Sequence, residues 1–375
     1  MLAVDISKAF DSVHHSLTLA KLNAYGFSDR SLDLMRSFFY GRLNRVKVST
    51  AKSDWKEMKR GCLQGSSLGP LLWNLYQKDL SYQVSNANLN MYADDHRLYT
   101  MGSNAFCMKA RLESEAAKAL TWYNDNYLMV NPDKFQLLMI NSQNDKDQAS
   151  LTINAYVIES TADISLLGVN IDEHLVFSKH IGELCIKAGQ RVGVLSRLGN
   201  LIPTEAKLLL YKSSILPHLT YCHLIWHFCK ASDARKVKRV LERALRIVYN
   251  THSVEYYNLL NRVNLPSLQN RRLQDLATLI YKVKYGLVPR NVVDIFSVKS
   301  SKYHLRNMDF HLPRFISVRY GKHSIRYFFG PYIWSRLDSK IKNKPSLQSF
   351  KSSIRRINLV DLITENCGSS LICRT

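Results

Sequence analysis

Tyr92-Ala93-Asp94-Asp95 sets two carboxylates side by side, with alternating apolar and polar residues leading in from Leu89 and out through Leu98 and Tyr99. That alternation predicts a β-hairpin with the acids at its tip. Adjacent carboxylates repel each other, and a divalent cation relieves the repulsion while recruiting oxygen ligands. An Asp-rich turn is the plainer reading, because Asp is a ready turn former. The pair has company. Asp5 falls where an apolar strand over residues 1–4 stops, Gln64-Gly65 lies in a loop of small residues ahead of a helix, and Lys134 sits in the turn Asn131-Pro132-Asp133-Lys134.

The elements that would carry these residues follow from periodicity. Ser7 is a candidate cap for a helix with Phe10, Val13, Leu17 and Ala20 on its apolar face and Gly26 at its end. A second helical stretch opens residues 31–60, and residues 44–49 alternate like a strand. Pro70 suits a first helical position, so the helix containing Leu71, Leu72 and Trp73 is expected to begin there. Residues 107–127 are predicted to form an amphipathic helix with Leu112, Ala116, Ala119, Leu120 and Tyr123 on one side. Residues 128–140 return to strand around the 131–134 turn, and 141–150 read as a surface loop. Beyond Leu166-Leu167-Gly168-Val169 the pattern is mainly helical, with Pro266, Pro289, Pro313, Pro331 and Pro345 dividing the last third. A domain seldom begins inside a core strand, so sequence upstream of Met1 is expected.

Charge is uneven. The net charge is +22, and residues 1–150 hold 18 Lys and Arg against 15 Asp and Glu, whereas residues 151–375 hold 34 against 15. A near-neutral first part followed by a strongly basic second part points to a polyanion, nucleic acid ahead of an anionic membrane surface. No apolar run is long enough to span a bilayer, and Met1-Leu2-Ala3-Val4 running straight into Asp5 is not expected to act as a signal peptide. The seven cysteines lack Cys-x-x-Cys spacing, which suits free thiols in a reducing, intracellular compartment.

Five segments in order resemble the reverse transcriptases of LINE-type, non-LTR retrotransposons. Ala3-Val4-Asp5-Ile6-Ser7-Lys8-Ala9-Phe10-Asp11-Ser12-Val13 is similar to that family's first palm motif. Gln64-Gly65-Ser66-Ser67-Leu68-Gly69-Pro70 is similar to the second, Tyr92-Ala93-Asp94-Asp95 to the third and Asn131-Pro132-Asp133-Lys134 to the fourth. Leu167-Gly168-Val169-Asn170-Ile171-Asp172 is similar to the hairpin described as a primer grip. The resemblance implies an α+β fold: a right-hand palm with an antiparallel sheet over 1–175, a helical thumb over 176–250 and a basic extension over 251–375. The fingers would be largely missing, and no endonuclease domain would be expected within these residues.

It also implies roles. Asp5, Asp94, Asp95 and the carbonyl of Ile6 would hold two Mg²⁺ ions, with Mn²⁺ as a substitute, for transfer of dNTPs to a DNA primer on an RNA template. For Asp5 the alternative is an acid favoured by a helix N-terminus, and Asp11 reads as a helix residue. Phe10 would exclude the 2′-hydroxyl of an incoming sugar, or simply fill the core. Gln64 and Gly65 would contact the nucleotide, or only shape a turn. Lys134 would protonate leaving pyrophosphate, or lie exposed; its neighbour Phe135 departs from the small hydroxyl residue common in the family. Gly168 would lie against the primer.

In the basic part, residues 232–246 form an amphipathic helix that turns Val237, Val240, Leu241, Ala244 and Leu245 inward and Arg235, Lys236, Arg239, Arg243 and Arg246 towards phosphates or solvent. Arg314, Arg319, Lys322 and Arg326 interleave with Tyr320, Tyr327, Phe328 and Phe329, a pattern suited to single-stranded RNA or to burial. Residues 216–229 offer five His and Cys side chains, but on one helix these spread over several faces, and a packed thumb helix is the preferred reading to a zinc site. The resemblance implies RNA-directed DNA synthesis, in the nucleus and cytoplasm. The rivals are another polymerase of the same hand and a truncated, catalytically dead remnant that still binds nucleic acid.

Overall fold

The computed structural model describes residues 1–140, 150–199, 201–226, 229–296, 310 and 330–364. They form two compact units, one of Met1–Leu166 with Ile171–Leu175, the other of Leu167–Asn170 with the chain from Val176 onward. The architecture is α+β, with small antiparallel sheets followed by helices.

The first unit is built around β1 (Leu2–Asp5). After it come α1 (Ala9–Ser12), α2 (His15–Ala24), α3 (Asp29–Phe39) and four two-residue strands, β2 (Leu43–Asn44), β3 (Lys47–Val48), β4 (Ala51–Lys52) and β5 (Lys56–Glu57). Then follow α4 (Gly69–Gln77), α5 (Leu80–Gln83), β6 (Asn88–Tyr92), β7 (Asp95–Tyr99), α6 (Ala105–Asp125) and β8 (Gln136–Leu137). The main sheet has the order β6-β7-β1-β8, with antiparallel neighbours throughout. As an inner strand β1 buries Leu2, Ala3 and Val4 in succession, which is why it reads as a continuous apolar run. Leu98 and Leu137 flank Leu2 in register, and each buried aliphatic of this kind contributes about 1.5–3 kcal/mol. The same core receives Leu72, Trp73 and Tyr76 of α4 and Leu112, Ala116, Ala119, Leu120 and Tyr123 of α6, the face predicted for that helix.

Three local expectations are corrected. The helix predicted from Ser7 to Gly26 is two helices, broken at Val13-His14, and Ser7 caps neither. The segment after Gly61 docks there: Gly61 N–H donates to Val13 O at 2.8 Å and Cys62 N–H to Phe10 O at 2.9 Å, drawing those carbonyls out of the helical ladder. The strand predicted over 44–49 is split, because β2 pairs with β5 and β3 with β4, while Val46 exchanges bonds of 2.9 Å with Ser53 between them. The third lies in the second unit.

That unit is mainly helical. A strand pair precedes it: β9 (Ser150–Ile153) and β10 (Tyr156–Glu159) pair within the first unit, followed by β11 (Asp163–Leu166) and β12 (Val169–Asp172). The helices are α7 (Ser178–Arg197), α8 (Thr204–Leu210), α9 (Leu216–Thr220), α10 (Ala231–Val248), α11 (Tyr256–Val263) and α12 (Leu268–Lys284), with shorter ones after them. Between α8 and α9 the helix passes through a π turn, Tyr211–Ile215, just ahead of Pro217, whose missing N–H breaks the regular ladder. The helix expected over 216–229 ends at Thr220. Tyr221 is extended, Cys222 has a φ of 46°, and Trp226 Nε1 donates to Tyr221 O at 3.2 Å, closing the chain into turns. His227 lies outside the described residues, as do the interleaved basic and aromatic residues 314–329, Cys367 and Cys373. The five described cysteines are free thiols. No helix among the described residues is long and apolar enough to cross a membrane.

Candidate active site

β6 and β7 form the predicted hairpin, with Ala93 and Asp94 as its two-residue turn and Asp95 opening β7 opposite Tyr92. Ala93 has a φ of 51°, a conformation that L residues rarely adopt. The indole of Trp73, fully buried in α4, donates to the Ala93 carbonyl at 2.7 Å and holds the turn in place. Asp94 is exposed at the tip.

Asp5, the last residue of β1, lies directly across from Asp95. Like charges opposite each other on neighbouring strands destabilise a sheet. Each acid here has its own cation. Lys134 Nζ stands 3.4 Å from Asp5 Oδ2, and Arg97 donates to Asp95 Oδ1 at 3.1 Å. Both carboxylates are about half exposed, at 44% and 47%. Two half-exposed carboxylates in register, with a third one residue away, suit a hard cation that keeps much of its water shell. Among the described residues no three acidic, His or Cys side chains already converge on one point to hold a metal.

The backbone after Asp5 is pinned from the side. Ser7 N–H donates to Met129 O at 2.8 Å and Asn131 N–H to Asp5 O at 3.3 Å, so the Ile6 carbonyl stays outside that pairing. Asn131 also accepts from Asp133 N–H at 3.2 Å, capping the short turn Pro132–Lys134 that aims Lys134 at Asp5. Phe135, the departure noted in the sequence, is buried in the core below.

Phe10 is half-buried, its ring 5.4 Å from that of Trp73, so it contributes to the core beneath the hairpin while keeping an open edge. Gln64 is exposed and donates through Nε2 to Asp11 Oδ1 at 3.0 Å. Gly65 has a φ of 83°. Gly61 is equally constrained, with a φ of 91° and the Asp11 backbone 3.0 Å from where a Cβ would stand.

Behind the acids lies His96, fully buried between Tyr123 OH, 2.8 Å from Nδ1, and Gln77 Oε1, 2.8 Å from Nε2. Burial pushes the imidazole down to about 4, so it is neutral at pH 7. Sequence reasoning passed over His96, Arg97 and Trp73. For Arg97 a signal existed: two residues after Asp95 on a strand, it must share Asp95's face.

The basic residues belong to the second unit. Arg235, Lys236, Arg239 and Arg243 are exposed on α10 and Arg246 is half-buried, while Val237, Leu241, Ala244, Leu245 and Val248 are buried. Val240 is only half-buried. Lys236 is tied to buried Asp233 at 2.8 Å and Arg246 to Glu242 at 2.8 Å. Burial alone would raise the Asp233 carboxyl, but hydrogen bonds from Lys236 and Ser178 hold it below its ordinary value. Arg239, Arg243 and Arg246 line a groove of about 630 Å³ with Asn250 and His252. Lys207, itself buried, donates to Gly199 O and to Asn250 Oδ1, both at 3.2 Å, and adds positive charge beside that groove. Gly168 has a φ of 81° and follows Leu167, at 48°, in a two-residue turn whose Leu167 carbonyl accepts from Tyr221 OH at 2.7 Å.

The reverse transcriptase (RNA-dependent DNA polymerase) family matches residues 1–171. Among curated proteins, the chain is 27% identical over 261 residues to the probable RNA-directed DNA polymerase from transposon BS of Drosophila melanogaster, covering 65% of this chain and 28% of that protein. It is 26% identical to the RNA-directed DNA polymerase from mobile element jockey of Drosophila funebris, covering 65% and 27%. It is 24% identical to a putative 115 kDa protein in the type-1 retrotransposable element R1DM of Drosophila melanogaster, covering 76% and 28%. The chain thus spans a little over a quarter of these relatives. A solved structure of telomerase from Candida albicans with a fragment of telomeric RNA gives a TM-score of 0.31 at 16% identity, over 70% of this chain and 46% of that one, too weak a likeness to bear on the fold. Residues 1–171, with the acids of β1 and the β6–β7 turn inside them, match the reverse-transcriptase family and are similar to the corresponding part of several non-LTR retrotransposon proteins.

Proposed function

We propose that the chain is the palm (1–175), thumb (176–250) and basic extension (251–375) of an RNA-directed DNA polymerase from a non-LTR retrotransposon. The observation that carries this is the register of Asp5 against Asp95, with Asp94 beside them on a buttressed turn, inside a stretch that matches the reverse-transcriptase family. Asp5, Asp94, Asp95 and the Ile6 carbonyl would hold two Mg²⁺ ions, or Mn²⁺ in their place. Such ions, when bound, stabilise the attacking and leaving oxygens of nucleotidyl transfer.

The remaining roles fall to the chain itself. The Trp73 bond and the neutral His96 hold the hairpin rigid, so that the acids stay fixed as charge moves. Lys134 is within reach of Asp5 and is the proposed donor of a proton to departing pyrophosphate. The open edge of Phe10 would bar a ribose 2′-hydroxyl. Gln64 and Gly65, held on the exposed loop, would meet the incoming dNTP. Gly168 and the α10 arginines would contact the DNA primer and RNA template through phosphates.

Primer extension on an RNA template with dNTPs and Mg²⁺ tests this, beside an Asp94→Ala/Asp95→Ala variant and a binding gel. Extension that the double substitution abolishes is the expected result. The two ion pairs across the acids favour a second reading, a nucleic-acid-binding remnant without catalysis. Binding without extension in either protein would establish that remnant.

A further inference from the structure

The basic charge of the first unit is concentrated in one place. Residues 42–60 hold seven Lys and Arg against two Asp and Glu, while the rest of 1–150 holds 11 against 13. This segment contains the ribbon in which β2 pairs with β5 and β3 with β4. Of its side chains only Arg42 and Met58 are even partly covered, and none enters the core of the first unit. A two-stranded ribbon with water on both faces is marginal by itself. Yet Leu43, Val46, Val48 and Trp55 are all more than half exposed, an apolar display that stability does not explain.

The charges of the ribbon and its single aromatic side chain fit a particular partner. Lys47 stands directly opposite Lys52, and among the described residues neither has an acidic partner. Like charges in register destabilise a sheet, and an anion lying across them removes that cost. Trp55 carries the Arg45 guanidinium over its ring at 4.4 Å, and the residue remains 56% exposed. An aromatic ring beside a planar cation receives an unstacked base, and the facing lysines suit its phosphates. A base inside a duplex offers no free face to such a ring. RNA is the nucleic acid commonly met with splayed bases, in loops, bulges and ends.

We propose that the β2–β5 ribbon is a docking surface for single-stranded RNA, with a base stacked on Trp55 and phosphates across Lys47 and Lys52. It is a separate contact from the acids of β1 and β7 and from α10, and it does not depend on catalysis by those acids.

Trp55 is its own probe. The other four tryptophans, Trp73, Trp122, Trp226 and Trp334, are buried, so quenching of the solvent-exposed emission of the full chain reads this surface. An oligouridylate of about twelve nucleotides should quench that emission, and Trp55→Phe should abolish the quenching. Lys47→Gln/Lys52→Gln should weaken the binding read this way at least about fivefold and lower its slope against log salt by about 1.4. Arg239→Ala/Arg243→Ala and Asp94→Ala/Asp95→Ala should each leave it within about twofold. No quenching, equal quenching by a duplex of the same length, or quenching that persists in Trp55→Phe overturns the inference. So does a loss in Arg239→Ala/Arg243→Ala as large as that in Lys47→Gln/Lys52→Gln, which would assign the RNA to α10. A blue shift on phosphatidylserine vesicles without quenching by oligouridylate would make the ribbon a membrane-binding face and equally overturn it. The duplex and vesicle arms use the unaltered chain, so they decide even where a variant fails to fold. Primer extension reads the acids separately, so failure of either test leaves the other standing.

Discussion

Trp73 and Trp226 are both fully buried, and each donates its indole N–H to a carbonyl at a left-handed kink, Ala93 O at 2.7 Å and Tyr221 O at 3.2 Å. The residues displayed above them differ. Over Trp73 stand Asp94 and Asp95, open to solvent. Beyond Trp226 the turn places His223 against Asp275 at 2.9 Å, and buried Arg272 covers the indole ring at 4.2 Å. A strained turn propped by tryptophan is therefore a way of fixing backbone and does not by itself mark chemistry. What marks it in the first unit is acids left half-exposed, in register, with cations drawn to them.

The comparison can be broken directly. Truncating either tryptophan to Ala should cost about 3–5 kcal/mol of stability, measured by urea unfolding, because both fill the core. Replacing each with Phe separates fixing from filling. Trp73→Phe and Trp226→Phe should each lose about 1–3 kcal/mol through an orphaned carbonyl and a smaller ring. Only Trp73→Phe should also weaken Mn²⁺ binding. Equal effects on Mn²⁺ would mean that the hairpin does not depend on its buttress.

Acid sensitivity sharpens the contrast. The folded pKa of His96, about 4, lies below its ordinary 6.5, so its contribution is complete above pH 6.5 and is lost as the pH falls towards 4. Over that window the first unit should lose about 3 kcal/mol, a loss that His96→Gln removes. Asp233 is also depressed, but from 3.8, so its contribution persists above that pH and falls away only below it. Asp233→Asn should cost about 2 kcal/mol at pH 7, a difference that shrinks only under stronger acid. Unfolding curves at pH 7, 5 and 3 distinguish the two.

Much of this was legible in the chain. Alternation about the acidic pair placed the hairpin, and the 3–4 spacing of Leu112 through Tyr123 gave the buried face of α6. The excess of 34 Lys and Arg over 15 Asp and Glu after residue 150 identified the basic unit, and within it the α10 face. What periodicity could not reveal was tertiary competition. The apolar spacing of Phe10, Val13 and Leu17 is helical, yet Gly61 and Cys62, some fifty residues later, take the carbonyls that a continuous helix needs. The end of α9 depends likewise on an indole five residues beyond Tyr221. Nor could spacing alone show that Arg97 finds both a carboxylate and a carbonyl from β11.

The smallest expected effects are those of single α10 residues, where affinity is shared among many phosphates. Among the described residues Arg239 and Arg243 form no ion pair, whereas Lys236 and Arg246 are engaged by Asp233 and Glu242. If the groove lined by Arg239 and Arg243 takes a nucleic-acid backbone, Arg239→Ala or Arg243→Ala should each lower the slope of log affinity against log salt by about 1. Lys236→Ala should change it less, because that ammonium already has a partner and releases little new counter-ion charge on binding. Fluorescence anisotropy with a labelled RNA–DNA duplex between low and moderate salt reads the slopes directly. Equal slopes for all three variants would show that pre-paired and unpaired cations contribute alike. Binding would then depend on the diffuse field of a strongly basic unit, with no defined contact made by α10.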